Sequence, residues 1–350
     1  MSRGRTWGRT QFFFGKVLVL DGMTGTGKTL VMNVIDTMSE IAPPKFSYIL
    51  EHICIANSNA LLKEGIGTQM LQIHLDQLQY DGKISREVNF RPRDLSSIFK
   101  SKKKFKYISR LFAEDGELAS ARVKTENEAI FLVVHQLFDT LDILTSLPGK
   151  SITQITCVRH PYYLIDHWAS YVSMHGASAR DFTLTKGNNG DLPWFIRKYP
   201  ELYLKGNNFE KATICVSELN KRALTHLDTS KDRIIVIDFE KFVLNPIPYI
   251  EEITFELKPK RISGMQQTLK SQRIPRSHIN NTKPMKIYSR YAADKHNTNL
   301  SHAEDYIHLR RRLKNLISPD YFTLLEEAAF LYEEKFGCWF EDDTRRIKHE

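Results

Sequence analysis

The chain has 350 residues, 41% hydrophobic and 26% charged, which excludes a fibre, a linker array or a largely disordered protein and leaves room for a sizeable core. The formal charge of +9 favours anionic partners such as a nucleotide, a sulfated or phosphorylated sugar, an acidic glycan or a membrane surface, without a specific nucleic-acid signal. Four cysteines, at 54, 157, 215 and 338, lie too far apart for a zinc or redox motif, so reduced structural thiols are expected. No run approaches the ~18 apolar residues that span a bilayer, and the N-terminus lacks a signal-peptide cleavage site, so a cytoplasmic protein without a membrane span is expected.

Taken in order, apolar runs at 16–20, 46–50, 129–134, 151–158 and 233–239 predict strands. Helical spacing predicts helices over 28–40, 58–80, 161–174, 217–228, and 303–336 in two pieces broken near Ser318 and Pro319. Strands alternating with helices predict an α/β fold with a mostly parallel central sheet flanked by helices. We read residues 1–350 as a single domain. Residues 81–125, basic and weakly periodic, form an insertion on the sheet's rim. Residues 258–300, rich in Lys, Arg, Asn, Ser and Pro, form an irregular loop or lid.

The first strand runs into "DGMTGTGKTLVMNVI", where Gly22, Met23, Thr24, Gly25, Thr26, Gly27, Lys28 and Thr29 satisfy the pattern G-x-x-x-x-G-K-[ST] between a strand and a helix. Glycines there open backbone conformations closed to other residues, so successive amides point inward. The helix adds its positive end, Lys28 a full charge. Such a loop binds a phosphate or a sulfate and predicts a three-layer P-loop fold. The pattern leaves two donors open at this point, a phosphosulfate nucleotide or ATP with magnesium.

In "ITCVRHPYYLIDHWASYVSMHG" a strand ends in Val158-Arg159-His160-Pro161 and a helix follows at once; Pro161 suits its first turn, and Arg159 can pair bidentately with a phosphate. This strand-Arg-x-Pro-helix arrangement resembles the 3′-phosphate-binding segment of sulfotransferases, the enzymes that use 3′-phosphoadenosine-5′-phosphosulfate (PAPS). Three further stretches resemble that family in the right order: "FLVVHQLFDTLDILTSLPGK", "IIVIDFEKFVLNP" and "LLEEAAFLYEEKFGCW". Two stretches differ from its pattern, the kinase-like Gly25-Thr26-Gly27-Lys28-Thr29 and Val133-Val134-His135, which lacks a lysine before the histidine.

The resemblance implies a sulfotransferase-like fold, PAPS as co-substrate and sulfuryl transfer to a hydroxyl or amine. It places a catalytic base at His135 or, as in carbohydrate-type members, at Glu51 after the second strand, with Lys28 as the cation at the transferring group. It places the 3′-phosphate on Arg159 with His167 and Ser170, and further basic contacts at Arg290 and Lys295. No metal ligand set is expected. The alternatives are a P-loop kinase using ATP and magnesium, for which Asp238 and Glu240 would hold the metal, and a non-catalytic nucleotide-binding relative. In the other readings Asp238 and Glu240 cap a helix or face solvent. Tyr162, Tyr163, Trp168 and Trp194 either stack on adenine or acceptor rings or pack in the core.

Overall fold

The computed structural model describes residues 8–176, 179, 181–187, 190–230, 234–280 and 300–340. In chain order the elements begin with β1 (Gly15–Gly22), α1 (Lys28–Ile35), β2 (Lys45–Phe46), α2 (Tyr48–Ser58) and α3 (Ile66–Lys83). Then follow α4 (Lys104–Ser109), α5 (Gly116–Glu126), β3 (Ile130–Val133), β4 (Lys150–Val158), α6 (Ile165–Val172) and a small β5 (Thr185–Lys186) and β6 (Leu192–Pro193) ribbon. The remainder comprises α7 (Pro200–Lys205), α8 (Asn208–Thr229), β7 (Ile234–Asp238), α9 (Phe239–Leu244), α10 (Ile247–Leu257), α11 (Met265–Ser271), α12 (His302–Leu316) and α13 (Pro319–Phe336).

The main sheet is parallel, in the order β2-β3-β1-β4-β7, and helices flank it. Val17 to Leu20 and Ile130 to Val133 are buried on both faces, as expected where helices cover a parallel sheet. Register fixes the site. Leu20 pairs with Val133, Gly22 with Cys157 and Val158 with Asp238, so the chain leaves four adjacent strands at one end of the sheet. Ligands in open α/β sheets gather at that end.

The strand expected over 46–50 is corrected: only Lys45 and Phe46 pair with β3, and a helix begins at Tyr48. The reason is a cap. Ser47 Oγ accepts from Leu50 N at 3.3 Å, and Leu50, Ile53 and Cys54 then bury one helical face. Glu51 therefore lies in the first turn of a helix. Boundaries shift elsewhere. The first helix stops at Ile35, the helix expected over 58–80 runs Ile66–Lys83, and α8 starts well before 217. Pro161 opens a 3-10 turn that leads into α6, and the break at Ser318-Pro319 separates α12 from α13.

Residues 81–125 carry two helices, tied to the body by ion pairs of Lys83, Lys106 and Arg110 with Glu126 and Glu128. Within 258–300, residues 265–271 form α11 and Ile262 bridges to Met38; Arg290 and Lys295 lie outside the described residues. Among the described residues no helix is long and apolar enough to cross a membrane.

Candidate functional site

Between β1 and α1 the chain needs its glycines. Gly22 has φ 144° and Gly27 φ 85°; a Cβ on either would come within 2.4 Å of the Cys157 carbonyl oxygen or of Phe239 Cδ2. Only a residue without a side chain fits under those contacts. Thr26 Oγ1 donates to Met23 O at 2.7 Å, and Trp168 Nε1 donates to Thr24 O at 3.0 Å, so the turn is pinned from inside and outside. Gly27 caps α1 without any side-chain hydrogen bond, which leaves the helix's first amides to a ligand. Thr29 lies half-buried in the first turn of α1. Lys28 is buried, and its Nζ donates to the carbonyls of Gly22 and Met23. Burial lowers its pKa, opposed by Asp21, Cys157 and Glu51. An anion over the loop would restore the charge partner that burial denies it.

Arg159 leaves the end of β4 and turns back onto this loop. Its Nη1 donates to Gly25 O at 3.0 Å, its Nε lies 3.7 Å from Glu240 Oε1, and its guanidinium carbon stands 4.3 Å from the centre of the Phe239 ring. Burial lowers its pKa, with Glu240 opposing. The His167 ring packs against Gly25, with Cδ2 3.2 Å from where a Cβ would stand. Burial first, then Arg159 and Lys28, push this histidine down to about 4, so it is neutral at physiological pH. Ser170 lies half-buried on α6 one turn beyond. Loop, guanidinium and imidazole thus share one rim.

The two candidate bases meet. His135 Nδ1 and Glu51 Oε1 are 2.9 Å apart, with Glu51 buried and the histidine 26% exposed, so one ring edge is held and the other is reachable. A carboxylate there accepts Nδ1–H and leaves Nε2 with its lone pair. Phe46 and Tyr48 lie nearly parallel to the imidazole, at 5.9 and 6.2 Å between centroids. The backbone on either side is tied to β1, Val134 N to Leu20 O and Gln136 N to Gly22 O. Buried Asp21 accepts from Leu137 N and Phe138 N and fixes the turn that follows.

No family model matches the chain, and no curated protein matches its sequence. Similar solved structures are sulfotransferases. The sulfotransferase domain of the Synechococcus PCC 7002 olefin synthase is 13% identical, with a TM-score of 0.38 over 93% of this chain and 98% of that one. The sulfotransferase domain from the curacin biosynthetic pathway is 12% identical, with a TM-score of 0.41 over 87% of this chain and 98% of that one. Sulfotransferase STF9 from Mycobacterium avium is 12% identical, with a TM-score of 0.33 over 87% of this chain and 76% of that one.

Asp238 accepts from Lys241 N at 3.2 Å and so caps α9. Glu240 accepts from His160 N at 3.3 Å and from the Tyr332 hydroxyl at 3.0 Å. Burial, then the neighbouring charge of Asp238, push Glu240 up to about 8. Tyr162, Tyr163, Trp168 and Trp194 are all buried, and Tyr163 donates to Asp305 at 2.9 Å. Three further residues escaped the sequence reading. Asp21 carried the signal of a charge at the end of an apolar strand. Phe239 floors the loop, and the Arg276 guanidinium carbon lies 5.7 Å from the centre of the same ring, yet nothing in "QRIPRSH" marks that arginine out.

Proposed function

We propose that this chain transfers the sulfuryl group of PAPS to a hydroxyl or amine of an acceptor. One observation carries the reading: Arg159, from a neighbouring strand, reaches the carbonyl of Gly25 at the centre of the glycine loop. Two cationic grips, separate in sequence, therefore serve one rim, as an adenine nucleotide with a 5′-phosphosulfate and a 3′-phosphate requires. The loop amides and Lys28 take the 5′ end; Arg159, with His167 near it, takes the 3′-phosphate, and Ser170, one turn further along α6, is a candidate further donor. Such transfer is an in-line displacement in which positioning and charge stabilisation supply most of the rate.

In the step, the acceptor oxygen forms a bond to sulfur while the bond from sulfur to the bridging phosphate oxygen breaks. Its electron pair stays on the leaving 3′,5′-bisphosphate, whose charge Lys28 and the loop meet. The acceptor's proton goes to His135 Nε2. Glu51 acts as a positioning residue, holding Nδ1–H so that Nε2 stays a base. In this reading the chain is one cytoplasmic domain, with residues 81–125 on the acceptor side and an anionic glycan among the candidate acceptors.

The complete Gly27-Lys28-Thr29 motif in its β1–α1 setting favours a second reading, phosphoryl transfer from ATP with magnesium. Asp238 and Glu240, the acidic pair that reading would recruit, already serve His160, Tyr332 and the cap of α9. Thermal unfolding with nucleotide separates the two. 3′-Phosphoadenosine-5′-phosphate at about 100 times its dissociation constant should stabilise the fold by about 2.7 kcal/mol without metal. Stabilisation by ATP only with magnesium, and none by the bisphosphate, supports the kinase. No response to either points to a relative without catalysis.

A further inference from the structure

Away from the glycine loop, the edge strand β2 and the segment that follows α3 enclose a chamber of about 440 Å³. That lies within the range of about 300 to 1,000 Å³ typical of small-molecule sites. None of its lining residues belongs to 22–29, and neither Arg159 nor His167 reaches it. Its walls are chiefly apolar, with Leu78, Ile98, Val123, Ile130 and Phe131 among them. Tyr48 and Ile49, both exposed, and Glu87, whose side chain is 43% exposed, form its wetter side.

The charged groups on the wall are unequal. Glu128 is saturated by Lys83 at 3.3 Å, Lys106 at 3.0 Å and Arg110 at 3.0 Å, and Lys83 is spent on Glu126 and Glu128. The His74 ring is held by Ser47 Oγ at 2.8 Å, and burial lowers its pKa. Lys45 differs. Its Nζ is buried, has no hydrogen-bond partner among the described residues, and stands 3.6 Å from its nearest carboxylate oxygen, Glu87 Oε2. An ammonium withdrawn from water with its donors unfilled is costly unless an anion comes to it. Glu87 gives part of that charge from a half-solvated position, which leaves room for one further negative charge.

We propose that this chamber binds an apolar monocarboxylate, its head on Lys45 Nζ and its hydrocarbon or aromatic body against the apolar wall. A cation would meet Lys45 unfavourably, and a neutral molecule would leave the ammonium with Glu87, at 3.6 Å, as its nearest negative charge. Phe46 and Tyr48 line the chamber and also stack on His135, so the ligand lies one aromatic layer from the candidate base. The proposal stands independently of the sulfuryl-transfer reading, since it uses neither the glycine loop nor Arg159.

Titration calorimetry on the full chain with decanoate, decanol and decylammonium tests it, with no nucleotide present. Decanoate should bind saturably at one site per chain and at least about tenfold more tightly than either analogue. Lys45→Met should weaken decanoate about tenfold or more and leave decanol unchanged, and Ile98→Trp, which fills the chamber, should weaken both. Circular dichroism and thermal melting establish that each variant is folded; Lys45→Gln replaces Lys45→Met where the latter melts early. Absence of saturable decanoate binding to the wild type overturns the proposal. So does equal affinity for the three ligands, or undiminished decanoate binding in the folded Lys45 variant.

Discussion

Glu51→Ala removes the carboxylate that faces His135 Nδ1 at 2.9 Å and should undo the tautomer on which the proposed base depends. A hydrogen bond to a charged group contributes about 1.5 to 3 kcal/mol. Because the ring is 26% exposed, solvent screens the pair, and the lower figure of about 1.5 kcal/mol applies. At about 1.4 kcal/mol per factor of ten, that is roughly a tenfold preference for Nδ1–H over Nε2–H, lost in the variant. Two-bond proton–nitrogen spectra of the imidazoles, with His135→Gln identifying the relevant peaks among twelve histidines, read the tautomer without any acceptor. Wild type should show a protonated Nδ1 and a bare Nε2; Glu51→Ala should shift the ring toward protonated Nε2. Any transfer activity should fall by about the same factor of ten, less than the roughly 10²- to 10⁴-fold loss expected when the base itself is removed. A ring that keeps Nδ1–H without Glu51, or that carries Nε2–H in the wild type, refutes the positioning role.

Gly27→Ala forces a Cβ to within 2.4 Å of Phe239 Cδ2 at a φ of 85°, so thermal unfolding should show a loss of about 1 to 3 kcal/mol together with loss of nucleotide binding. Glu240 holds its proton in the fold up to about 8, whereas the ordinary value is 4.5. Its contribution to stability is therefore full below the ordinary value and declines as pH rises through about 8. Urea titrations of Glu240→Gln from pH 5 to 9 should show a flatter dependence than wild type, and an unchanged slope counts against the assignment. Burial alone would raise the Glu128 carboxyl, but Arg110, Lys106 and Lys83 outweigh it and hold the group near about 2. That contribution is present above pH 4.5 and drains away as pH falls toward 2. Glu128→Gln, which leaves Lys83 and Arg110 with Glu126 alone, should lower the urea-derived stability at pH 7 by about 3 kcal/mol, and a change near zero contradicts the network's role.

Much of the fold was legible because it depends on local pattern. The apolar run over 16–20 and the β-branched stretch over 151–158, whose end from Ile155 to Val158 is buried, read as strands between their flanking turns, and the glycine spacing of 22 to 27 has few other uses. "FSYIL" reads as a strand because its β-branched and aromatic composition outweighs one serine, while in the fold the Ser47 cap and the burial of Leu50, Ile53 and Cys54 decide. Glu51 and His135 were both found as candidates, but as rivals. Their hydrogen bond spans 84 positions and depends on how α2 packs beyond β3, which no local pattern reveals. Arg276 was invisible for the same reason, since its place beside Phe239 follows from a return of the chain after α11.

The account rests on Arg159 as the grip for a 3′-phosphate. Calorimetric dissociation constants for PAPS and for adenosine-5′-phosphosulfate, which lacks that phosphate, should be compared in wild type and Arg159→Met. A charge-assisted contact of about 1.5 to 3 kcal/mol predicts a loss of roughly 10- to 150-fold for PAPS in the variant and little change for the nucleotide without the 3′-phosphate. Equal losses for both nucleotides, or none for either, would contradict the account.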